Sequence, residues 1–126
     1  MNGAKTLTHL LFPLFIGFII GGAISGCGPA FVDLMIEGFA DAAVRYGIPR
    51  DKALAMVSAT VKGSARLQLE TGMHPGVIKD AVCSPAGTTI RGVEALEAHG
   101  MRHAFIAAVN AAAGDSGQGP VAAALK

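Results

Sequence analysis

A chain of 126 residues fits one domain with a modest core. Its net charge of +1, without a Lys/Arg run or an aromatic ladder, gives nucleic acid no electrostatic footing, so no nucleic-acid partner is expected. Its two cysteines, Cys27 and Cys83, lie far apart and read as free thiols of a reducing, cytoplasmic compartment rather than a secreted disulfide framework. Alanine and glycine are plentiful, and helices with such small faces pack closely and often complete their core against another subunit.

The first 22 residues form an apolar N-terminal segment of uncertain origin. Lys5 is the only charge before the run Leu10 to Ile20, which has the look of a signal-peptide core or, over residues 7–24, a membrane anchor. The run is near the lower limit for spanning a bilayer, and Pro13, Gly17, Gly21 and Gly22 weaken a straight helix. The other readings are a buried strand or helix, or a segment not native to the domain that follows. A dinucleotide-binding turn at Gly26-Cys27-Gly28 fails on position. Phe31 stands where a Gly or Ala is required, and the chain continues as a helix instead of a second strand with a ribose-binding acid.

That helix is expected to begin near Pro29, with Ser25 or the glycines as its cap, and to run to about Tyr46. Phe31, Leu34, Met35, Phe39 and Ala42 are expected on one face, and Asp33, Glu37, Asp41 and Arg45 on a solvated stripe. Gly47 closes it. The next helix starts at Pro49-Arg50-Asp51 and runs to Gly72, with Lys62, Arg66 and Glu70 as its polar stripe. Ser58, Ala59, Gly63 and Ser64 are small, and a mid-helix glycine costs about 1 kcal/mol, so Gly63 calls for a packing reason. This helix is the candidate centre of a dimer.

Residues 73–82 read as a short helical turn. The following helix carries Ile90, Val93 and Leu96 inward and Glu94 and Glu97 outward, and ends at His99-Gly100. A last helix covers about Arg102 to Ala113, and residues 115–126 read as a flexible tail. No strand-period segment follows residue 25, so the body is all-α. His99 and His103 have ligand spacing, but Gly100 separates them and no third ligand is in register. His9, His74, His99 and His103 therefore read as surface or cap residues, and no metal is expected.

The stretch Val82-Cys83-Ser84-Pro85-Ala86-Gly87-Thr88-Thr89-Ile90 breaks the apolar periodicity between two helices. Ser84 before Pro85 is a helix-start signal, and Thr88 or Thr89 can cap the helix that follows. Small residues leave room for a ligand to approach the backbone, and hydroxyls at a helix N-terminus suit an anion. A plain capped loop has the same pattern.

In order along the chain stand Ser25-Gly26-Cys27-Gly28-Pro29-Ala30-Phe31, Gly47-Ile48-Pro49-Arg50, Glu70-Thr71-Gly72-Met73-His74-Pro75-Gly76, Lys79-Asp80 and Val82 to Ile90. Leu96-Glu97 and Gly100-Met101-Arg102 follow. From about Ala23 to Ala113 this series resembles the C-terminal dimerisation domain of pyrroline-5-carboxylate reductase. The resemblance implies an all-α, bundle-like dimerisation domain over 23–114, of the 6-phosphogluconate-dehydrogenase C-terminal-like type, interleaved with its partner. It implies a homodimer or an oligomer of dimers, with 1-pyrroline-5-carboxylate and L-proline as ligands. NADPH or NADH serves the complete enzyme.

By position, Val82, Ser84, Gly87, Thr88 and Thr89 would form the substrate pocket. The Ser84 hydroxyl and the amides of Gly87 and Thr88 would hold the carboxylate, and the Thr89 hydroxyl would contact the ring nitrogen as the catalytic group. No cofactor is expected on this chain alone; the Rossmann domain for hydride transfer is either a separate Rossmann-domain chain acting as partner or a half lost through truncation. The rival expectation is a non-catalytic interaction module or truncated relic. The chain departs from the family pattern at Cys27, where a serine is usual, and at Ala86, where the pattern is Pro-Gly-Gly. If that position needs positive φ, Ala86 adds strain on the order of 1 kcal/mol.

Overall fold

The computed structural model describes residues 3–114, whose regular elements are all helical, without strands. α1 spans Gly3–Gly22, a π-helical turn Ala23–Cys27, α2 Gly28–Arg45, α3 Arg50–Thr71, α4 Pro75–Val82, α5 Thr88–Ala98 and α6 Met101–Ala112. The flexible tail expected over residues 115–126 lies outside the described residues. Two compact units emerge. One holds α1, the π turn and the start of α2 together with α6; the other holds residues 33–101.

The expected helix start at Pro29 is corrected. Gly22 and Gly28 both have right-handed helical backbone, and the chain passes from α1 through the π turn into α2 without a cap. Ser25 caps nothing; its hydroxyl donates to the Gly21 carbonyl one turn back, at 2.8 Å. The π turn ends just before Pro29, which has no N–H to offer the carbonyl four residues earlier, and the wider winding lets the helix pass that gap. Gly26-Cys27-Gly28 thus lies in helical backbone, not in a strand-to-helix turn. By length and composition, Leu14–Arg45 is one helical stretch able to cross a membrane.

The later helix ends follow local chemistry. Gly47, Gly72 and Gly100 take left-handed backbone just past α2, α3 and α5, where a side chain would be strained. The Gly72 N–H donates to the Gln68 carbonyl at 2.9 Å. The acidic stripe of α2 is exposed as expected, and Asp41 pairs with Arg50 at 2.5 Å, linking α2 to the start of α3. On α3, Arg66 pairs with Glu70 one turn on, at 2.6 Å.

Burial is sparse. Among the described residues only Ala23, Ala40 and Ala53 are buried, and no side chain larger than alanine is. On α2, Phe31, Met35, Ile36, Ala43 and Val44 are half-buried, but Leu34, Phe39 and Ala42 of the expected inward face are exposed. Leu96 of α5 is also exposed, contrary to expectation; the apolar Ile106 of α6 is exposed as well. These helices carry more apolar surface than one protomer covers. α3 is the extreme case: from Lys62 to Thr71 only Gln68 is even half-buried, and Leu69 is 79% exposed.

Candidate functional site at the start of α5

The turn between α4 and α5 is built by backbone geometry. α4 is capped by His74, whose Nδ1 accepts from the Gly76 N–H at 3.0 Å, and Pro75 occupies its first position. The helix ends at Val82. There the Cys83 N–H donates to the carbonyls of Lys79 and Asp80, at 3.2 and 3.1 Å. Ser84-Pro85-Ala86-Gly87 then forms a β-turn, closed by the Gly87 N–H on the Ser84 carbonyl at 3.0 Å. A proline, held at negative φ by its ring, followed by a residue at φ 57 is the type II arrangement.

The residue at positive φ is Ala86. Type II turns favour glycine there because a Cβ crowds the neighbouring carbonyl in left-handed backbone. Ala86 is the only non-glycine residue with positive φ among those described. The strain anticipated for this position is therefore present, on the order of 1 kcal/mol. Gly87, next in line, has φ −72 and ψ 173, extended backbone open to any residue.

Gly87 is also the N-cap of α5, which corrects the expectation that Thr88 or Thr89 would cap it. Those two are the first and second residues inside the helix, and a capping side chain must stand on the extended residue before them. Glycine has no side chain to give, so α5 begins without a side-chain cap. The first N–H groups of a helix have no acceptor within it. Those of Thr88 and Thr89 lie at an exposed helix end, which carries the positive pole of the helix dipole.

Val82, Ser84, Thr88 and Thr89 are all exposed, and Gly87 is half-exposed. The structure thus brings the five expected residues together within eight positions of chain, on one turn and the two helix ends it joins. It differs on one donor. The Gly87 N–H, expected to serve a carboxylate, is already bound to the Ser84 carbonyl. That commitment is invisible in sequence until Ser84–Gly87 is known to be a turn. Lys79, three residues before Val82, is ion-paired with Asp80. No described groups form a metal-binding cluster.

Helices this poor in buried side chains, with apolar faces left open, define the class of protein: an all-α subunit-association domain. Comparison with known proteins narrows the class. Residues 18–118 match the family described as pyrroline-5-carboxylate reductase dimerisation. The pyrroline-5-carboxylate reductase of Treponema pallidum is 52% identical over 99 residues, covering 79% of this chain and 38% of the relative. That of Escherichia coli is 52% identical over 86 residues, covering 68% of this chain and 32% of the relative. The structure of Plasmodium falciparum pyrroline carboxylate reductase with NADP bound superposes with a TM-score of 0.75 at 37% identity, covering 80% of this chain and 38% of that one. The Streptococcus pyogenes 1-pyrroline-5-carboxylate reductase also gives 0.75, at 38% identity, covering 77% of this chain and 38% of that one.

The chain belongs to the pyrroline-5-carboxylate reductase dimerisation family. It spans about a third of the length of the curated relatives it matches. Its fold is the all-α fold of that dimerisation domain, and the family is one of subunit association.

Proposed function

We propose that this chain is the dimerising, substrate-binding part of a pyrroline-5-carboxylate reductase, and that the turn from Ser84 into α5 receives the substrate carboxylate. What supports the reading is that α5 begins without a side-chain cap, immediately after a tight turn that carries a hydroxyl. Unpaired N–H groups and the positive dipole end suit one carboxylate. With the Gly87 N–H engaged, the amides of Thr88 and Thr89 and the hydroxyl of Ser84 are the donors. Val82, exposed at the end of α4, offers an apolar wall for the ring.

The reaction saturates the ring C=N bond: a hydride arrives at the carbon and a proton at the nitrogen. The chain's own residues serve the nitrogen side. In this reading the Thr89 hydroxyl donates to the ring nitrogen, orienting it and holding a proton where one is required. The Rossmann site for a dinucleotide's pyrophosphate is a strand feeding a glycine turn, and the described residues contain no strand. They do not fit NADPH or NADH, so hydride delivery falls to a Rossmann domain outside them, in the working assembly a partner of this one. The assembly is a homodimer or an oligomer of dimers, interleaved through α2 and α3 and cytoplasmic.

Titration of the chain with L-proline tests the site. Binding is expected, with Thr89→Ala weaker by about tenfold, the scale of one hydrogen bond to a charged group. Equal affinity in the two proteins removes Thr89 from the site. A second reading, membrane association through residues 7–24, draws on the apolar stretch beginning at Leu14. Fractionation of cells expressing the chain separates them, since full recovery in the soluble fraction eliminates the anchor.

A further inference from the structure

Gly87 poses a question that its backbone does not answer. At φ −72 and ψ 173 it adopts a conformation every residue adopts freely, so conformational freedom is no reason for a glycine here. Space is. A Cβ built on Gly87 would overlap the Ser84 Oγ outright and stand 3.0 Å from the Ser84 carbonyl oxygen. Among the described glycines with a negative φ, only one other, Gly76, would place a Cβ near any neighbour, and there the neighbour is the capping imidazole of His74 at 3.0 Å. The Ser84 hydroxyl therefore occupies the volume where any other residue at 87 would place its side chain.

We propose that Gly87 is a positioning residue, and that its bare Cα is the seat which holds the Ser84 hydroxyl over the first turn of α5. The proposal rests on the reading of this turn as the carboxylate site, and names what sets one of that site's donors. The β-turn fixes the frame: the Gly87 N–H grips the Ser84 carbonyl at 3.0 Å, so residues 84 and 87 are clamped across the turn. Within that clamp the Ser84 hydroxyl lies against the Cα face of Gly87, the residue at the N-terminal end of α5. A methyl at 87 drives the hydroxyl into another staggered well and away from that end. The backbone dihedrals at 87 admit alanine, so the larger displacement falls on the Ser84 hydroxyl, while the Ser84 carbonyl, 3.0 Å from the added Cβ, gives by a few tenths of an ångström.

The test uses the full chain, in wild type, Gly87→Ala, Ser84→Ala and the double variant. Three-bond couplings across the Ser84 Cα–Cβ bond report its rotamer without any ligand. The wild type is expected to hold one rotamer and Gly87→Ala to show a different or averaged one. L-Proline affinity is expected to fall about tenfold in either single variant, with the double variant no weaker than Ser84→Ala, because both changes remove the same contact. Additive losses overturn the seat, as does a Ser84 side chain that averages among rotamers in the wild type. If the wild type holds a single rotamer that Gly87→Ala releases but binds no L-proline, the seat stands and the substrate reading fails.

Discussion

The turn at 84–87 and helix α3 are opposite solutions to the problem of specifying structure. The turn spans four residues and is settled within itself: a proline fixes one φ, one backbone hydrogen bond closes it, and Ser84 interlocks with Gly87. α3 has 22 residues and settles almost nothing within the protomer, burying a single alanine, Ala53. Beside it an open, apolar groove is lined by Phe39 and Ala43 of α2 and by Met56, Val57, Thr60 and Val61 of α3. A short segment is made rigid by local covalent and hydrogen-bond geometry, whereas a long helix depends on burying a face. The contrast teaches where the protein's stability must come from. The turn is preformed in one chain; on the proposed reading, the scaffold that carries it depends on another.

The largest effect expected is on the scaffold. Met56→Glu places a charge on the exposed apolar wall of the groove, where Met56 is 58% exposed in one protomer. If α3 is the dimer centre, an unpaired carboxylate is buried on association, at about 3–5 kcal/mol. Sedimentation equilibrium should then find association weakened by more than a hundredfold. An unchanged dimer would erase the contrast, because α3 would be a solvated helix.

Gly63→Ala carries a sign. A Cβ at Gly63 meets nothing within 4 Å in the protomer, so the packing reason sought for this glycine is not found within one chain. A helix exposed there gains about 1 kcal/mol from alanine. A helix crossed there by a partner loses stability, because the methyl separates the backbones. Thermal melts at several protein concentrations distinguish the two, and the dimer reading requires a lowered, concentration-dependent midpoint.

The smallest change belongs to the turn. Ala86→Gly relieves the left-handed alanine and is expected to stabilise the fold by about 1 kcal/mol or less, since glycine's greater unfolded freedom offsets part of the relief. Urea denaturation measures it. A loss of stability would mean that the alanine methyl makes a contact worth more than its strain.

Much of the architecture was legible from local patterns. Gly47, Gly72 and His99-Gly100 end helices because left-handed backbone there favours glycine, and the acidic stripe of α2 is solvated because charge avoids burial. The strain at Ala86 was legible too, since a proline followed by a position usually glycine is a turn signature. The helix through residues 22–28 was not. Gly22, Ser25, Gly26, Gly28 and Pro29 are all residues that interrupt helices, and only the π turn shows how the chain continues past them. Nor was the cap of α5 legible, because two threonines at a helix start look like caps until the residue before them proves to hold the cap position.

By itself the sequence determined the all-α class and most helix boundaries, because capping, turn chemistry and periodicity act over a few residues; the five residues proposed for the site, Val82, Ser84, Gly87, Thr88 and Thr89, rest on the resemblance to the family. Only the tertiary structure decided which apolar residues lie inward, that Leu34, Phe39 and Leu96 do not, and that the Gly87 amide is engaged while the Ser84 hydroxyl fills the space a side chain at 87 would take. Burial and donor occupancy are properties of what lies across a gap in space. Periodicity along a helix marks a face as apolar without naming what, if anything, will cover it.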